Sequence, residues 1–377
     1  MGPLDGVLVA DFSRVLAGPY ATMLLGDLGA TVVKVEPPQG DDTRHWGPPW
    51  TADGESTYYQ SINRNKSSLV LDLRDPDEHE LARRLAARAD VLIENFRSGT
   101  LDRLGLGYEA VRADNPGIVY CSITGFGSAA GAGMPGYDLV VQAVSGLISL
   151  TGTDDEHLTK TGIATADVLT GLHSALGIVA ALRHRDRTGA GQRIEANLLS
   201  SMLSGLVNFG GAWTLAGEVG RAMGIKHPGI APYEPFTTAD RPLVIAAGND
   251  NLFRRLCDCL GLAGLPEDPR FASNGARVEH RVELSALLEP VLARESADTW
   301  FAKLTAAGVP CGPINDVAQG MQLAESLGLD PVVDVQGSAQ VAHPLRFSET
   351  PVAYRAAPPG LDADAAALRE WLSGEPS

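Results

Sequence analysis

Basic residues are scarce in this 377-residue chain: 30 Lys and Arg stand against 46 Asp and Glu, a formal net charge of −16. Nucleic-acid phosphates and anionic bilayers repel such a chain, which makes it a poor nonspecific binder of either. Cysteine is scarcer still, with only Cys121, Cys257, Cys259 and Cys311. Cys257 and Cys259 stand two apart inside an apolar helical run, and no Cys/His pair stands at zinc spacing, so no metal site is expected. The four read as reduced, buried thiols of a cytosolic protein. Long hydrophobic runs are missing too. No uninterrupted stretch of about 18 apolar residues occurs, and the N-terminus has no basic segment leading into an apolar one. The chain therefore reads as soluble and cytoplasmic. Walker loops, HExxH and GxSxG are also absent; His79 precedes Glu80, but Arg83 stands where a second metal ligand would have to be.

What is present is an alternation of short apolar runs and helical segments, with hydrophobic residues at 44%. "GVLVADFS" (6–13) reads as a buried strand, "GPYATMLLGDLGA" as a helix stopped at Gly29, and "TVVKVEPP" (31–38) as a second strand closed by two prolines. Strand–helix–strand is the signature of a parallel sheet. The pattern continues through "SSLVLDL" (67–73), "DVLIENF" (90–96) and "GIVYCSITGFG" (117–127), with the helix "PDEHELARRLAARA" carrying acids early and arginines late. A turn and strand follow at 187–199, and "SSMLSGLVNFGGAWTLAG" reads as helical. The first 200 residues thus form a doubly wound α/β domain. Residues 221–242 are rich in Pro and Gly and read as a loop leading into "LVIAAGND". A smaller α+β domain follows at 231–317, with segments 221–230 and 318–332 as linkers. Strand-like pieces such as "AQVAHPLRF" return the tail, 333–377, to the first domain, 1–220.

Three segments are candidates for chemistry. The glycine-rich "GFGSAAGAGMPG" (125–136) follows a strand but does not match the dinucleotide fingerprint, and reads as a mobile loop over a site. "HRDR" (184–187) ends a helix and reads as a solvated C-terminus. Asp167 begins the long apolar stretch after "KTGIAT". As an N-cap its carboxylate would accept amide hydrogen bonds and stay ionised at low pKa. A carboxylate nucleophile must be ionised as well, so the pattern leaves cap and nucleophile both open.

In order, "LAGPYATMLLGDLGATVVKVEPPQGDDTR", "INRNKSSLVLDLRDP", "ADVLIENFRSGTLDRLGLGY", "GYDLVVQAVSGL", "HRDRTGAGQRIEANLLSSML", "PYEPFTTADRPLVIAAGNDNLFRRLCDCLG" and "AAGVPCGPINDV" resemble the family III CoA-transferases, the CaiB/BaiF family, over roughly residues 4 to 345. The resemblance implies a Rossmann-like large domain built from both chain ends, a smaller α+β domain, and a homodimer of interlocked rings. It implies that Asp167 is the nucleophile, with Tyr137 and Asp138 beside it. CoA would move from an acyl-CoA donor, succinyl-CoA by default, to a carboxylic acid through an aspartyl anhydride and an aspartyl-CoA thioester. CoA is substrate here, and no cofactor is bound permanently. Val15, Leu16 and Ala17 fall where the family's first loop meets the nucleotide. Lys66, Asn95, Phe96 and Arg103 match further CoA contacts. One departure stands out: Pro37 and Pro38 follow Glu36 where formyl-CoA transferases carry an Arg, and Arg44 is the expected replacement. The glycine loops at 125–136 and 246–250 are expected lids. Arg221, Lys226 and His227 are candidates to pair with a second carboxylate of the acceptor.

The same motifs resemble the α-methylacyl-CoA racemases, which remove the α-proton and need a base on each face. Their His falls where this chain has Tyr137, and a phenol, with an ordinary pKa of about 10, replaces imidazole poorly. Their second-side aspartate corresponds to Asp167 and their helper glutamate to about Asp250. A non-catalytic CoA-binding dimer is the third reading, opposed by the joint presence of Asp167, Lys66, Asn95 and Phe96.

Overall fold

The structure, a computed structural model, describes residues 1–374. Two compact units divide the chain: one comprises Met1–Ile148, Lys160–Gly220 and the chain from Asp330 onward, the other Ser149–Thr159 and Arg221–Leu329.

The first unit is built on a six-stranded parallel sheet of β1 (Leu8–Asp11), β2 (Thr31–Glu36), β3 (Lys66–Val70), β4 (Val91–Glu94), β5 (Val119–Thr124) and β6 (Gln192–Asn197). Strand order is β3-β2-β1-β4-β5-β6. Every pairing is parallel, for instance Ala10 beside Val33 on one side and Leu92 on the other. Helices cover both faces, so the central strands bury both sets of side chains and read as continuous Val, Leu and Ile. The edge strand β6 carries Gln192, Arg193 and Glu195, as an edge open to water should. Against one face pack the helices Ala17–Asp27 and Thr165–Thr188, around Val9, Leu25, Ile93 and Ile178. On the other face Pro76–Arg88 buries Ala82, Leu85 and Ala86 against Val33 and Leu92. Asp75 caps that helix by accepting the Asp77 and Glu78 amides, and Pro76 fills the first helical position.

Among the described residues, Thr165–Thr188 is the one helix long and apolar enough to cross a membrane by length and composition. Ala166, Thr170, Ser174, Ile178 and Leu182 form one stripe on it, buried within the unit. At Gly171 an added Cβ would meet the Ala17 carbonyl oxygen at 2.7 Å, so glycine is what lets the two helices approach. The expected helix 200–217 is two, Leu198–Gly205 and Val207–Ala216, broken where Val207 takes φ 39°.

The tail belongs to this unit. Arg355 donates to the carbonyls of Gly26, Gly29 and Ala30, and Ala356 accepts from the Asn65 amide at 2.9 Å. Of the strand-like tail only Val332–Val335 and Ser338–Val341 form a hairpin.

The second unit holds an antiparallel sheet of β7 (Tyr233–Phe236), β8 (Leu243–Ala246) and β9 (Cys311–Pro313), with helices Asp250–Leu260, Arg281–Leu292 and Ala297–Ala306. The loop expected over 221–242 thus contains a strand. Phe236 is buried and the ladder to β8 supplies what propensity did not. Ser149–Thr159, with no signal in the sequence, joins this unit. The Gly224 amide donates to the Gly152 carbonyl at 2.7 Å, and Arg221 pairs with Asp155 at 2.9 Å.

Candidate active site

Parallel sheets of this strand order open a crevice outside the carboxyl ends of the two strands where the order reverses, here β1 and β4. A cleft of about 540 Å³ lies there, lined by the loop 14–17 after β1, the loop 95–98 after β4 and the glycine-rich stretch after β5.

The first loop is held from below by buried charges. Asp41 accepts the Val15 amide at 3.2 and 3.3 Å. Lys34 bridges Asp41 at 2.9 Å and the Ser13 carbonyl at 3.0 Å. Val15 itself takes φ 67°, a left-handed backbone a β-branched residue adopts only under constraint. From the second loop Asn95 clasps Arg14: its Oδ1 accepts the Arg14 amide at 2.8 Å and its Nδ2 donates to the Arg14 carbonyl at 2.7 Å. The third wall closes on itself at Gly125 and Gly136, where a Cβ on Gly136 would sit 2.5 Å from the Gly125 Cα. These two backbones meet because neither residue has a side chain.

Asp167 lines the cleft as the third residue of its helix, partly buried. No hydrogen bond reaches its carboxyl from any described residue. The cap is Asp138, from the helix Asp138–Val144. Its Oδ1 accepts the Ala166 amide at 2.8 Å and, more weakly, the Asp167 amide at 3.5 Å. The low pKa expected for Asp167 as a cap is therefore reversed: burial, and then the Asp138 charge, push its carboxyl up to about 7. Nearby, burial and the charges of Asp167 and Asp138 push the Tyr58 phenol up to about 12.

The cleft gathers Val15, Leu16, Ala17, Asn95, Phe96, Arg103, Tyr137 and Asp167 along its walls. Tyr137 is exposed and Asp138 stands behind it, turned to the helix. Asn95 holds the loop, since both ends of its amide are already engaged. Arg103 is exposed, with the Thr100 hydroxyl at 3.2 Å as its partner.

Lys66 is a correction. It lies in the interior, 3% exposed, with Nζ donating to Asp11 at 3.2 Å, Asn63 at 2.9 Å and the Pro19 carbonyl at 2.9 Å. Burial pulls its pKa down to about 8, and no donor remains for a phosphate. Arg44 is a second correction. It forms a two-point pair with Glu36, 2.7 and 2.8 Å, lies over the Tyr59 ring at 3.8 Å and also holds the Pro359 carbonyl. The positive charge in the cleft comes instead from Arg14, Arg97 and Arg103. Arg14 lies 5.5 Å over Phe96 and 4.0 Å from Asp42. Arg97 is exposed and its guanidinium has no partner among the described residues. Both were readable as arginines inside strand-end loops, "FSRVLAG" and "ENFRSG", but only the fold shows those loops facing one cleft.

In the second unit Asp250 pairs with the buried Arg277 at 2.8 Å, so its carboxylate is engaged in holding that interior. Lys226 stands 3.8 Å from Glu234, and His227 lies against Tyr233.

Comparison with known proteins places this geometry among relatives. The profile of CoA-transferase family III matches residues 4–365. A succinate–glutarate CoA-transferase of Agrobacterium fabrum (strain C58) is 42% identical, over 95% of this chain and 93% of its own. An acetyl-CoA:oxalate CoA-transferase of Acetobacter aceti is 39% identical, over 98% and 95%. The crystal structure of a CAIB/BAIF family protein from Brucella suis superposes with a TM-score of 0.89 at 43% identity, covering 98% of this chain and 99% of that one.

Proposed function

This chain belongs to CoA-transferase family III, and from that premise we propose that Asp167 carries the transferred acyl group while CoA changes partners. The chain is a CoA-transferase, and the reaction would run by covalent catalysis on a carboxylate. An Asp167 oxygen attacks the donor thioester carbonyl, the C–S bond breaks, and CoA thiolate leaves an acyl-aspartyl anhydride. The thiolate then attacks the Asp167 carbonyl, releasing the donor acid and leaving CoA as a thioester on Asp167. The acceptor carboxylate displaces that thiolate, forming a second anhydride. Attack of the thiolate on the acceptor carbonyl yields the new acyl-CoA and returns Asp167. Four acyl transfers balance without ATP.

The observation that carries this reading is the Asp167 carboxyl itself: in the cleft, without hydrogen bonds, and pushed up to about 7 by burial and by Asp138. A carboxylate held this way is more basic and more nucleophilic than an ordinary one. Acylation removes its charge, relieving both the desolvation and the repulsion from Asp138, so the neutral anhydride is favoured where the free carboxylate is not. Arg14, Arg97 and Arg103 would receive the CoA phosphates, and the 125–136 stretch would exclude water.

Succinyl-CoA is the donor we favour, with a dicarboxylic acid such as glutarate as acceptor, in line with the names of the relatives. We further propose a cytoplasmic, interlocked homodimer. Leu172, Leu176 and Val179 on the Asp167 helix, and Trp213 and Leu215 beyond it, are exposed in the single chain, and a second copy would cover them.

Mass spectrometry after incubation with a panel of acyl-CoAs and trapping with hydroxylamine tests the mechanism. An adduct on Asp167 is expected. Deuterium entering the acyl α-carbon from solvent, with Asp167 unmodified, would replace this reading with the racemase.

A further inference from the structure

We infer that Gln142 is a positioning residue of the acyl-transfer step: its buried amide holds Asp138 as the cap of the Thr165–Thr188 helix and so leaves the Asp167 carboxyl free in the cleft. The inference rests on Asp167 being the nucleophile.

Gln142 lies four residues beyond Asp138 on one helical face and is fully buried. Its Nε2 donates to Asp138 Oδ2 at 2.6 Å and to the Ile163 carbonyl at 3.3 Å. Its Oε1 accepts the Thr161 amide and the Thr161 hydroxyl, each at 3.1 Å. The Asp138 carboxylate and the Ile163 carbonyl accept only, and the Thr161 amide donates only, so one orientation of the side-chain amide satisfies all the contacts. One oxygen of Asp138 is thus tied to Gln142 and the other to the Ala166 amide. The same amide also fixes the segment Thr161–Ile163 that leads into the Asp167 helix.

Neutrality is the point of a glutamine here. A lysine or arginine could hold Asp138 as firmly, but its charge would also stabilise the Asp167 carboxylate and weaken it as a nucleophile. With Gln142 the negative charge of Asp138 still acts on Asp167, second only to burial. The Tyr58 phenol feels both charges, and Arg14, Asp42, Arg97, Arg103 and Tyr137 line the same cleft as Asp167. If Asp138 swung away, the Ala166 amide would lose its acceptor. Asp167, third in the helix, carries a carboxylate that can turn back toward that amide, and a carboxyl that caps is withdrawn from the substrate.

The test compares wild-type protein with Gln142→Leu and Gln142→Glu in single-turnover acylation by succinyl-CoA, trapped with hydroxylamine across pH, alongside CoA affinity by calorimetry. Gln142→Leu is expected to slow Asp167 acylation at least tenfold at every pH while CoA affinity stays within twofold. Gln142→Glu is expected to add an alkaline fall that wild-type lacks: a protonated Glu still donates to Asp138, whereas an ionised one repels it. Wild-type rates and an unchanged pH profile in both variants would overturn the inference. Equal losses of acylation and CoA binding in both would also overturn it, making Gln142 a structural residue. No adduct on wild-type Asp167 with any acyl-CoA would instead remove the mechanism on which it stands.

Discussion

Asp138 accepts the Ala166 amide at 2.8 Å, at the start of the helix that carries Asp167. Two carboxyls thus share one helix N-terminus unequally: one is its cap, the other is left without donors and pushed up to about 7. Divergent environments for neighbouring acids are how a site assigns them different tasks.

Replacing Asp167 by Asn or Ala is expected to lower turnover by about four orders of magnitude or more, as loss of a covalent nucleophile does. CoA affinity should stay within about threefold, because the carboxyl makes no contact that holds the cleft walls. Steady-state kinetics and calorimetry on the same preparations check both.

Asp167→Asn should also stabilise the fold, in a pH-dependent way. The folded-state pKa of Asp167 is raised from 3.8 to about 7, so between those values the native state binds more protons than the unfolded one. Stability contributed by this group therefore declines as pH rises through that window. The whole shift corresponds to about 4 kcal/mol, and partial exposure reduces it to about 1–2 kcal/mol. Denaturant melts should show Asp167→Asn level with wild-type near pH 4 and ahead of it at pH 8.

The rate of Asp167 acylation should rise with pH through a single limb near pH 7, since only the carboxylate attacks. Asp138→Asn keeps an acceptor oxygen for the Ala166 amide and removes the like charge, but it turns an amide donor toward Gln142 Nε2, so acylation should also slow at every pH. The limb should then move to lower pH by up to about one unit, with burial still holding it above the ordinary value. Stopped single-turnover reactions from pH 5 to 9 read this directly.

Arg97→Ala and Arg103→Ala should raise KM for acyl-CoA by about five- to fiftyfold, about 1–2 kcal/mol each, with kcat and Tm little changed. Lys66→Met should behave in the opposite manner. It removes the ion-pair partner of the buried Asp11, leaving it the Ser13 and Thr22 hydrogen bonds and the Lys34 charge, and should cost about 3 kcal/mol of stability without a selective effect on KM. A KM effect from Lys66→Met at unchanged Tm would refute the interior role.

The strands of the first unit were legible because parallel strands buried on both faces must be apolar runs of β-branched residues, and "VLVADF", "TVVKVE" and "DVLIENF" are such runs. β7 was not legible, because Pro and Gly around Tyr233–Phe236 mask a strand that pairing with β8 creates. Lys66 was misplaced for a related reason. It was assigned to CoA by resemblance of position, and only the fold brings Asp11, Asn63 and the Pro19 carbonyl around it.

Local order along the chain determined the alternation of strands and helices, the family resemblance, and Asp167 as the residue to examine. Tertiary structure alone decided that Asp167 does not cap its helix. Whether a first-turn aspartate caps its helix depends on what else can reach the amides, and the answer came from Asp138 and Gln142, more than twenty residues away in sequence. Desolvation and the field of a neighbouring charge are properties of position in space, so the pKa of a carboxyl cannot be read along a chain.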